Sequence, residues 1–338
     1  MRAVEIGADR ILRTTEREPG RPGEGEIRVE VGHAGICGSD LHNLQMPDYA
    51  PAGTVLGHEF SGIVAELGTG VGRLRPGDRV AVLPFDFCGV CARCVSGSPQ
   101  TCVQIRTTKI GGAFRQGAFA ESVIVPAASA YVLPDSVGDA EGALVEPIAV
   151  GIHGVAAAES SPEEPVAVVG GGPVGVMVTL ALQARGFSRI VGVEPNRFRR
   201  DRLAGLGIAV TAPDDGPEAA REALAGAVPN VVFDCSGHPT GPSTALELLE
   251  PLGRLVVLGS TVRPAPFDFY RLVRDEIRVR GAVCYTREEF KEAIEHLAAG
   301  RIPSGDLITD IRDLDRAQES FEELIGNGTT QMKILLTP

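Results

Sequence analysis

The segment Gly170-Gly171-Gly172-Pro173-Val174-Gly175 constrains this chain more than any other. It carries glycines in the order G-x-G-x-x-G, directly after the short apolar run Pro165–Val169 and directly before Val174–Arg185, whose apolar residues recur at helical spacing. A second apolar run, Ile190–Glu194, ends on an acid 24 residues after the first glycine. The six residues alone also suit an ordinary turn, but strand, glycine loop, helix, strand and terminal acid together describe a dinucleotide-binding unit. Gly170 permits the tight turn, Gly172 leaves room for a pyrophosphate, and Gly175 lets helix and sheet approach closely. The N–H groups of the helix start face the phosphate charge. Glu194 accepts ribose hydroxyls and repels a 2′-phosphate, which favours NAD over NADP. Arg197, Arg199 and Arg200 pull the other way unless they form a solvated helix face.

The same alternation continues downstream. Asn196 is placed to cap a helix running to about Gly205, Asn230–Asp234 and Arg254–Gly259 read as strands, and a helix near Gly241–Glu250 lies between them. Short apolar strands alternating with helices make a parallel sheet. The first 150 residues read differently. Ile27–Val31 alternates apolar and polar, and short strand candidates at Ser61–Glu66, Arg79–Leu83 and Ala118–Val125 are separated by Gly/Pro turns, as in a β-rich barrel-like unit. Toward the end, Thr286–Glu289 has capping-box form and opens a helix through about Ala299. A second helix near Leu314–Ile325 and a strand at Gln331–Leu336 follow, and this tail is a candidate to rejoin the β-rich part.

Seven cysteines stand in the chain, and Cys88, Cys91, Cys94 and Cys102 fall within fifteen residues. Four thiolates enclose one Zn²⁺ tetrahedrally, and a shell so closed has a structural role. An iron–sulfur cluster is the alternative, because thiolates alone do not exclude it. Cys37, His58 and Glu59 form a sparser set with room for water or substrate. On spacing alone, His58 as a hydrogen-bonded core histidine and Cys37 as an inert buried thiol remain open. Cys235 and Cys284 read as core packing.

With 32 basic and 44 acidic residues the formal charge is −12, and no long Lys/Arg run occurs, so a dedicated nucleic-acid or acidic-membrane surface is disfavoured. No stretch reaches the length of a transmembrane helix or a signal-peptide core. The expected location is the cytoplasm, where a cysteine cluster points to metal rather than disulfides.

Taken in order, Gly35–His42, Gly57-His58-Glu59-Phe60-Ser61-Gly62, Arg75–Val80, the four-cysteine lobe, Glu146-Pro147 and Gly170–Gly175 resemble the zinc-dependent medium-chain dehydrogenase/reductase family over essentially the whole chain. Glu146-Pro147 is similar to the polyol, threonine and butanediol dehydrogenase branch. The resemblance implies an α/β protein: a GroES-like β-rich catalytic domain, residues 1–148 and 286–338 with a structural-zinc lobe near 86–103, and an inserted Rossmann NAD-binding domain, residues 149–285. It implies two zinc ions per chain. Cys37, His58 and Glu59 would bind the catalytic ion, with Glu146 a ligand or exchangeable neighbour, and Cys88, Cys91, Cys94 and Cys102 the structural one. Ser39 and His42 match the proton relay, against the plainer reading of a helix cap and a surface histidine. Asp40 matches the acid behind the zinc site. Arg199, Ser236, Leu258, Gly259 and Ala282-Val283-Cys284 are expected to join Gly170, Gly172, Pro173, Val174, Gly175 and Glu194 in lining the NAD groove. The implied activity is hydride transfer between NAD, with NADP the lesser candidate, and a secondary alcohol or polyol, reversible with the ketone, in a homodimer or homotetramer. A zinc-free quinone reductase and a non-enzymatic crystallin-like relative are the rival readings. One departure concerns the segment Asn43–Gly57, shorter than in typical sorbitol dehydrogenases, which argues against a simple transfer of sorbitol specificity.

Overall fold

A computed structural model describes residues 1–111, 115–259, 261, 263–304, 307–326 and 330–338. The chain divides into two compact units, Met1–Glu146 with Thr286–Pro338, and Pro147–Tyr285. The first boundary lies two residues before the expected 148/149. It falls within the first turn of the helix Val145–Ala157, between Glu146 and Pro147.

The first unit is built on a seven-stranded sheet, in which six strands follow one another and the seventh, Ser122–Pro126, branches off by pairing with Glu26–Gly35. The long strand Glu26–Gly35 is its spine. Its alternating burial sends Ile27, Val29 and Val31 into an apolar core shared with Phe60, Phe119 and Phe321. It pairs antiparallel with Glu59–Leu67 and, at its C-terminal end, with the last strand, Lys333–Thr337 (Leu335 opposite Gly35). The chain's tail therefore does return to this unit. Two sequence expectations shift. Ala118–Val125 forms a strand only from Ser122 onward, and Leu314–Ile325 splits into a 3₁₀ turn at Leu314–Arg316 and a helix at Ala317–Ile325. A helix, Gly38–Gln45, also interrupts what the sequence suggested was nearly all strand.

The second unit holds a six-stranded parallel sheet. Its order is Ala209–Thr211, Ile190–Val193, Val166–Val169, Val231–Asp234, Arg254–Val257, Arg278–Gly281. Numbered along the chain this is 3-2-1-4-5-6, the doubly wound dinucleotide-binding topology, with its switch point beside Val166–Val169. The four-residue strands Val166–Val169, Ile190–Val193 and Val231–Asp234 are buried throughout, as sheet strands covered on both faces must be. Arg278–Gly281 was not legible as a strand, because all four residues are exposed at the sheet edge.

Candidate active site and cofactor loop

The glycine loop behaves as its local chemistry demands. Gly170 has φ +93°, and a Cβ there would lie 2.7 Å from Ser236 Cα. At Gly175 a Cβ would meet Gly170 O at 1.8 Å, so helix and loop touch through bare backbone. At Gly172, by contrast, the nearest atom to a Cβ would be Arg199 Nη1 at 3.7 Å, so this position opens outward. Gly172 caps the helix Pro173–Ala184, and Val174 lies in its first turn. Glu194 is buried, and its two carboxylate oxygens accept N–H groups from Gly171 and Asn196, the latter at 2.7 Å. The acid therefore locks the loop as well as standing at the end of its strand. Arg200 is occupied with the Glu194 and Pro195 carbonyls, and Arg197 is exposed. Arg199 is left beside Gly172, with a buried Nε that has no hydrogen-bond partner among the described residues.

The remaining residues expected at the groove follow the C-terminal ends of successive strands. Ser236 donates N–H and Oγ–H to Asp234 Oδ1, at 3.0 and 2.7 Å. Leu258 packs against Gly154, and Gly259 approaches Gly237 so closely that a Cβ would lie 2.3 Å from its nitrogen. Ala282 donates to Val257 O, Val283 is exposed, and Cys284 adopts φ +54°. Ligands of open α/β sheets bind at these carboxyl ends. Cys235 is buried.

In the first unit, Cys37 Sγ, a ring nitrogen of His58 and a Glu59 carboxylate oxygen all lie within 4.8 Å of one another. Chain geometry explains the convergence. Cys37 is the N-cap of the helix Gly38–Gln45, while His58 directly precedes and Glu59 opens the strand Glu59–Leu67, after Gly57, whose φ is +94°. Asp40, fully buried, ties the two segments together: Oδ2 accepts the Cys37 N–H at 3.0 Å and Oδ1 lies 3.2 Å from His58 Nδ1. A carboxylate behind one ring nitrogen leaves the other, Nε2, for a metal. Burial and the nearby Lys109 charge oppose a positive His58, yet Asp40 and Cys37 outweigh them and carry its pKa to about 10. The pocket favours positive charge at this ring, and a thiolate–imidazole–carboxylate set fits Zn²⁺.

Ser39 Oγ stands 3.3 Å from His58 Nε2, on the metal side of the ring. It lies inside the helix rather than at its cap. His42 is one turn further on and half-buried. Glu146, in the first turn of its helix, is buried but outside the three-residue cluster; its charge acts on Lys333. Lys333 itself escaped the sequence reading. Its Nζ donates to Glu59 Oε2 at 2.6 Å and to Ile36 O at 3.0 Å in full burial. Burial lowers its pKa, but the negative Glu59, Cys37 and Glu146 raise it further. Gly35 completes this corner, since a Cβ there would fall 2.4 Å from Glu59 Oε2. Arg10 also went unnoticed. Its guanidinium donates to the carbonyls of Asn43, Leu44 and Ala50, each at 2.7 Å, and so holds the far end of the helix that carries Ser39, Asp40 and His42.

The four-cysteine lobe gathers its sulfurs at 3.9 Å (Cys88–Cys94), 3.6 Å (Cys91–Cys94), 4.0 Å (Cys91–Cys102) and 3.5 Å (Cys88–Cys102). A tetrahedron with Zn–S bonds of about 2.3 Å has edges of about 3.8 Å. Gly89 and Gly97, at φ +71° and +82°, turn the loop around this centre. Backbone N–H groups of Cys94 and Val103 bring the Cys91 thiol down, while burial and the neighbouring sulfurs push Cys94 up.

Comparison with known proteins agrees with this construction. Residues 23–135 match the alcohol dehydrogenase GroES-like domain, and residues 173–299 match the zinc-binding dehydrogenase domain. A 2-dehydro-3-deoxy-L-galactonate 5-dehydrogenase of Pseudoalteromonas atlantica is 33% identical over 312 residues, 90% of either chain. The chain belongs to the zinc-dependent medium-chain dehydrogenases. A sorbitol dehydrogenase of Bacillus subtilis is 30% identical over 93% of this chain and 90% of its own. The crystal structure of 2R,3R-butanediol dehydrogenase from Bacillus subtilis superposes with a TM-score of 0.88 at 28% identity, covering 100% of this chain and 99% of that one. This medium-chain dehydrogenase is thus an oxidoreductase of the polyol branch, acting on the CH–OH group with a nicotinamide dinucleotide. Among the described residues no helix is long and apolar enough to cross a membrane.

Proposed function

We propose that this dehydrogenase oxidises a secondary hydroxyl of a polyol or sugar-derived alcohol with NAD, reversibly with the ketone, and that it holds two zinc ions per chain. The observation that carries this reading is the convergence of Cys37, His58 and Glu59 with Asp40 behind the imidazole and Ser39 Oγ in front of it. Cys37, His58 and Glu59 would bind the catalytic ion, with Glu146 an exchangeable neighbour, and the four-cysteine lobe would bind the structural one. Zinc supplies Lewis-acid polarisation of the substrate oxygen, and NAD accepts the hydride. The chain's own groups do the rest. Ser39 Oγ accepts the alcohol proton and His42 passes it toward water; Asp40 fixes the ring of His58; Lys333 holds one oxygen of Glu59. A zinc-free quinone reductase would have no use for this donor set.

Glu194 supports NAD over NADP, and Arg199 beside Gly172 supports a contact to the adenosine side of the cofactor. The exposed edge strand Arg278–Gly281 supports a homodimer or homotetramer. Cysteines that are all free of disulfides support the reducing cytoplasm. The relatives described above are named for neutral polyols and for one sugar acid, and both classes suit a reaction at a secondary carbinol.

The test is NADH formation by zinc-loaded protein across a panel of alcohols, polyols, amino alcohols and diol enantiomers, with elemental analysis on the same sample. No turnover in protein carrying two zinc ions per chain would overturn the reading. Turnover that survives Cys37→Ser would remove the proposed metal from the chemistry.

A further inference from the structure

The helix Gly38–Gln45 carries Ser39, Asp40 and His42, yet it has only eight residues. Isolated helices of that length do not hold together in water, so both ends need outside support. The N-terminal end has it: Cys37 is the N-cap, and Asp40 reaches both Cys37 and His58. The other end differs. Among the described residues the His42 side chain makes no hydrogen bond or ion pair, so its place depends on the helix backbone alone. His42 lies in the last turn, where the final carbonyls of a helix lack intrahelical partners.

Arg10 supplies those partners from a distant turn. Nε donates to Leu44 O, Nη2 to Asn43 O and Nη1 to Ala50 O, each at 2.7 Å. Two acceptors close the helix, and the third lies in the segment that follows it, at the fully buried Ala50. A planar guanidinium presents these donors in one fixed fork, and a cation suits the negative end of a helix. The neighbouring Asp9 does not neutralise Arg10, because both its oxygens are taken by Arg13, at 2.7 and 2.6 Å. Arg10 stands at φ +64° in the turn between Arg2–Ile6 and Leu12–Glu16, a left-handed backbone that side-chain-bearing residues rarely adopt. Such strain persists where the surroundings over-determine it. The same hairpin grips the chain again further on, since Gly53 N–H bonds Ile6 O at 2.8 Å and Ile6 N–H bonds Thr54 O at 3.0 Å.

We propose that Arg10 is a positioning residue of the proton relay: by fastening the Asn43 and Leu44 carbonyls to the hairpin, it keeps the His42 imidazole where it takes up the proton that Ser39 releases. This rests on the reading of Ser39 and His42 as that relay. The guanidinium moves no proton itself, and every side-chain bond it makes goes to a backbone carbonyl. Its influence reaches the reaction through His42.

The experiment compares Arg10→Gly, His42→Gln and the double variant in the full zinc-loaded chain. Glycine accepts the left-handed backbone at position 10, so the hairpin keeps its turn while the clamp is lost. Arg10→Asn, which also tolerates that backbone, is the second variant should the first fold poorly. Arg10→Gly should slow single-turnover hydride transfer about as much as His42→Gln, on the order of tenfold, with KM for NAD unchanged. The double variant should be no slower than His42→Gln, because residues that act through one group do not lose independently. Added ethylguanidinium should restore the rate of Arg10→Gly and leave that of His42→Gln unmoved. Hydrogen exchange gives a readout without turnover: amides of Asn43–Ala50 should exchange faster in Arg10→Gly and slow again with ethylguanidinium. Losses that multiply in the double variant, unchanged exchange, or a full rate in Arg10→Gly beside an impaired His42→Gln overturn the proposal and leave the relay reading standing. A full rate in His42→Gln overturns the relay reading, and the proposal falls with it.

Discussion

Lys333 Nζ lies 2.6 Å from Glu59 Oε2, both side chains are almost wholly buried, and 274 residues of chain separate them. A carboxylate expected to face a metal is therefore also one half of a buried ion pair. Breaking one half of such a pair costs about 3–5 kcal/mol, because the other charge is left in the interior. Lys333→Met should lower stability by that order in chemical denaturation. It should also free Glu59 to bind the ion continuously, which should lower the rate of zinc loss to a chelator. Adding Glu59→Gln should recover much of the stability, and strictly additive losses would show that the pair is not coupled.

Ser39 and His42 should differ in how much they matter. Ser39 Oγ, 3.3 Å from His58 Nε2, occupies a position that water does not reproduce. His42 stands half-exposed, where solvent serves as a substitute. General acid–base groups contribute about 10²–10⁴-fold. Ser39→Ala should fall within that range, and His42→Gln should lose about tenfold, near or below its lower end. Single-turnover hydride transfer with a deuterated alcohol across pH 6–10 separates this from product release. An unchanged His42→Gln profile, with no rescue by imidazole, would remove that residue from the relay.

Glu194→Ser should raise kcat/KM for NADP relative to NAD. Both of its oxygens also hold backbone N–H groups, from Gly171 and Asn196, so a second effect should accompany the first. The loop loses its lock, and KM for NAD should rise as well. Equal cofactor preference in wild type and variant would show that Arg199 outweighs the acid.

What could be read from the sequence followed the range of each interaction. The glycine loop was legible because each glycine answers to atoms a few residues or one strand away. The Cys88–Cys102 lobe was legible for the same reason. Lys333 was not. In Met332-Lys333-Ile334-Leu335-Leu336 a lysine reads as the outward member of an edge strand, and only the pairing with Glu26–Gly35 turns it toward Glu59. Arg10 was hidden likewise, since its three acceptors are backbone carbonyls that leave no mark on residue type. The strand Arg278–Gly281 lacked any apolar pattern because it has no buried face.

Cys91→Ser should release one zinc equivalent and reduce folded yield, while the second equivalent stays bound. A closed thiolate shell contributes its binding energy to folding. Elemental analysis before and after mild chelation checks this, and iron with sulfide in the wild type would reject the zinc assignment for that lobe.

Acid should weaken the C-terminal segment through Arg312. This buried guanidinium bonds Glu323 at 2.6 Å and Asp310 at 2.7 Å. The Arg312 hydrogen bond, with help from Gln331, holds the Glu323 carboxyl below its ordinary 4.5. A depressed folded pKa stabilises fully above the unfolded value and is lost as pH falls through the folded one. Urea midpoints should therefore drop between pH 5 and pH 3, and Glu323→Gln should flatten that slope.

The pairing of Leu335 with Gly35 sets a timetable for synthesis. Cys37, His58 and Glu59 leave the ribosome early, but the cation that neutralises Glu59 sits at position 333, 274 residues after it. During translation the carboxylate is uncompensated, and the corner it occupies has no reason to close. A nascent or truncated chain thus carries the site's donor atoms without the arrangement that would bury them. Synthesis of the strand Lys333–Thr337, rather than arrival of any one ligand, becomes the event that commits this pocket to its final form.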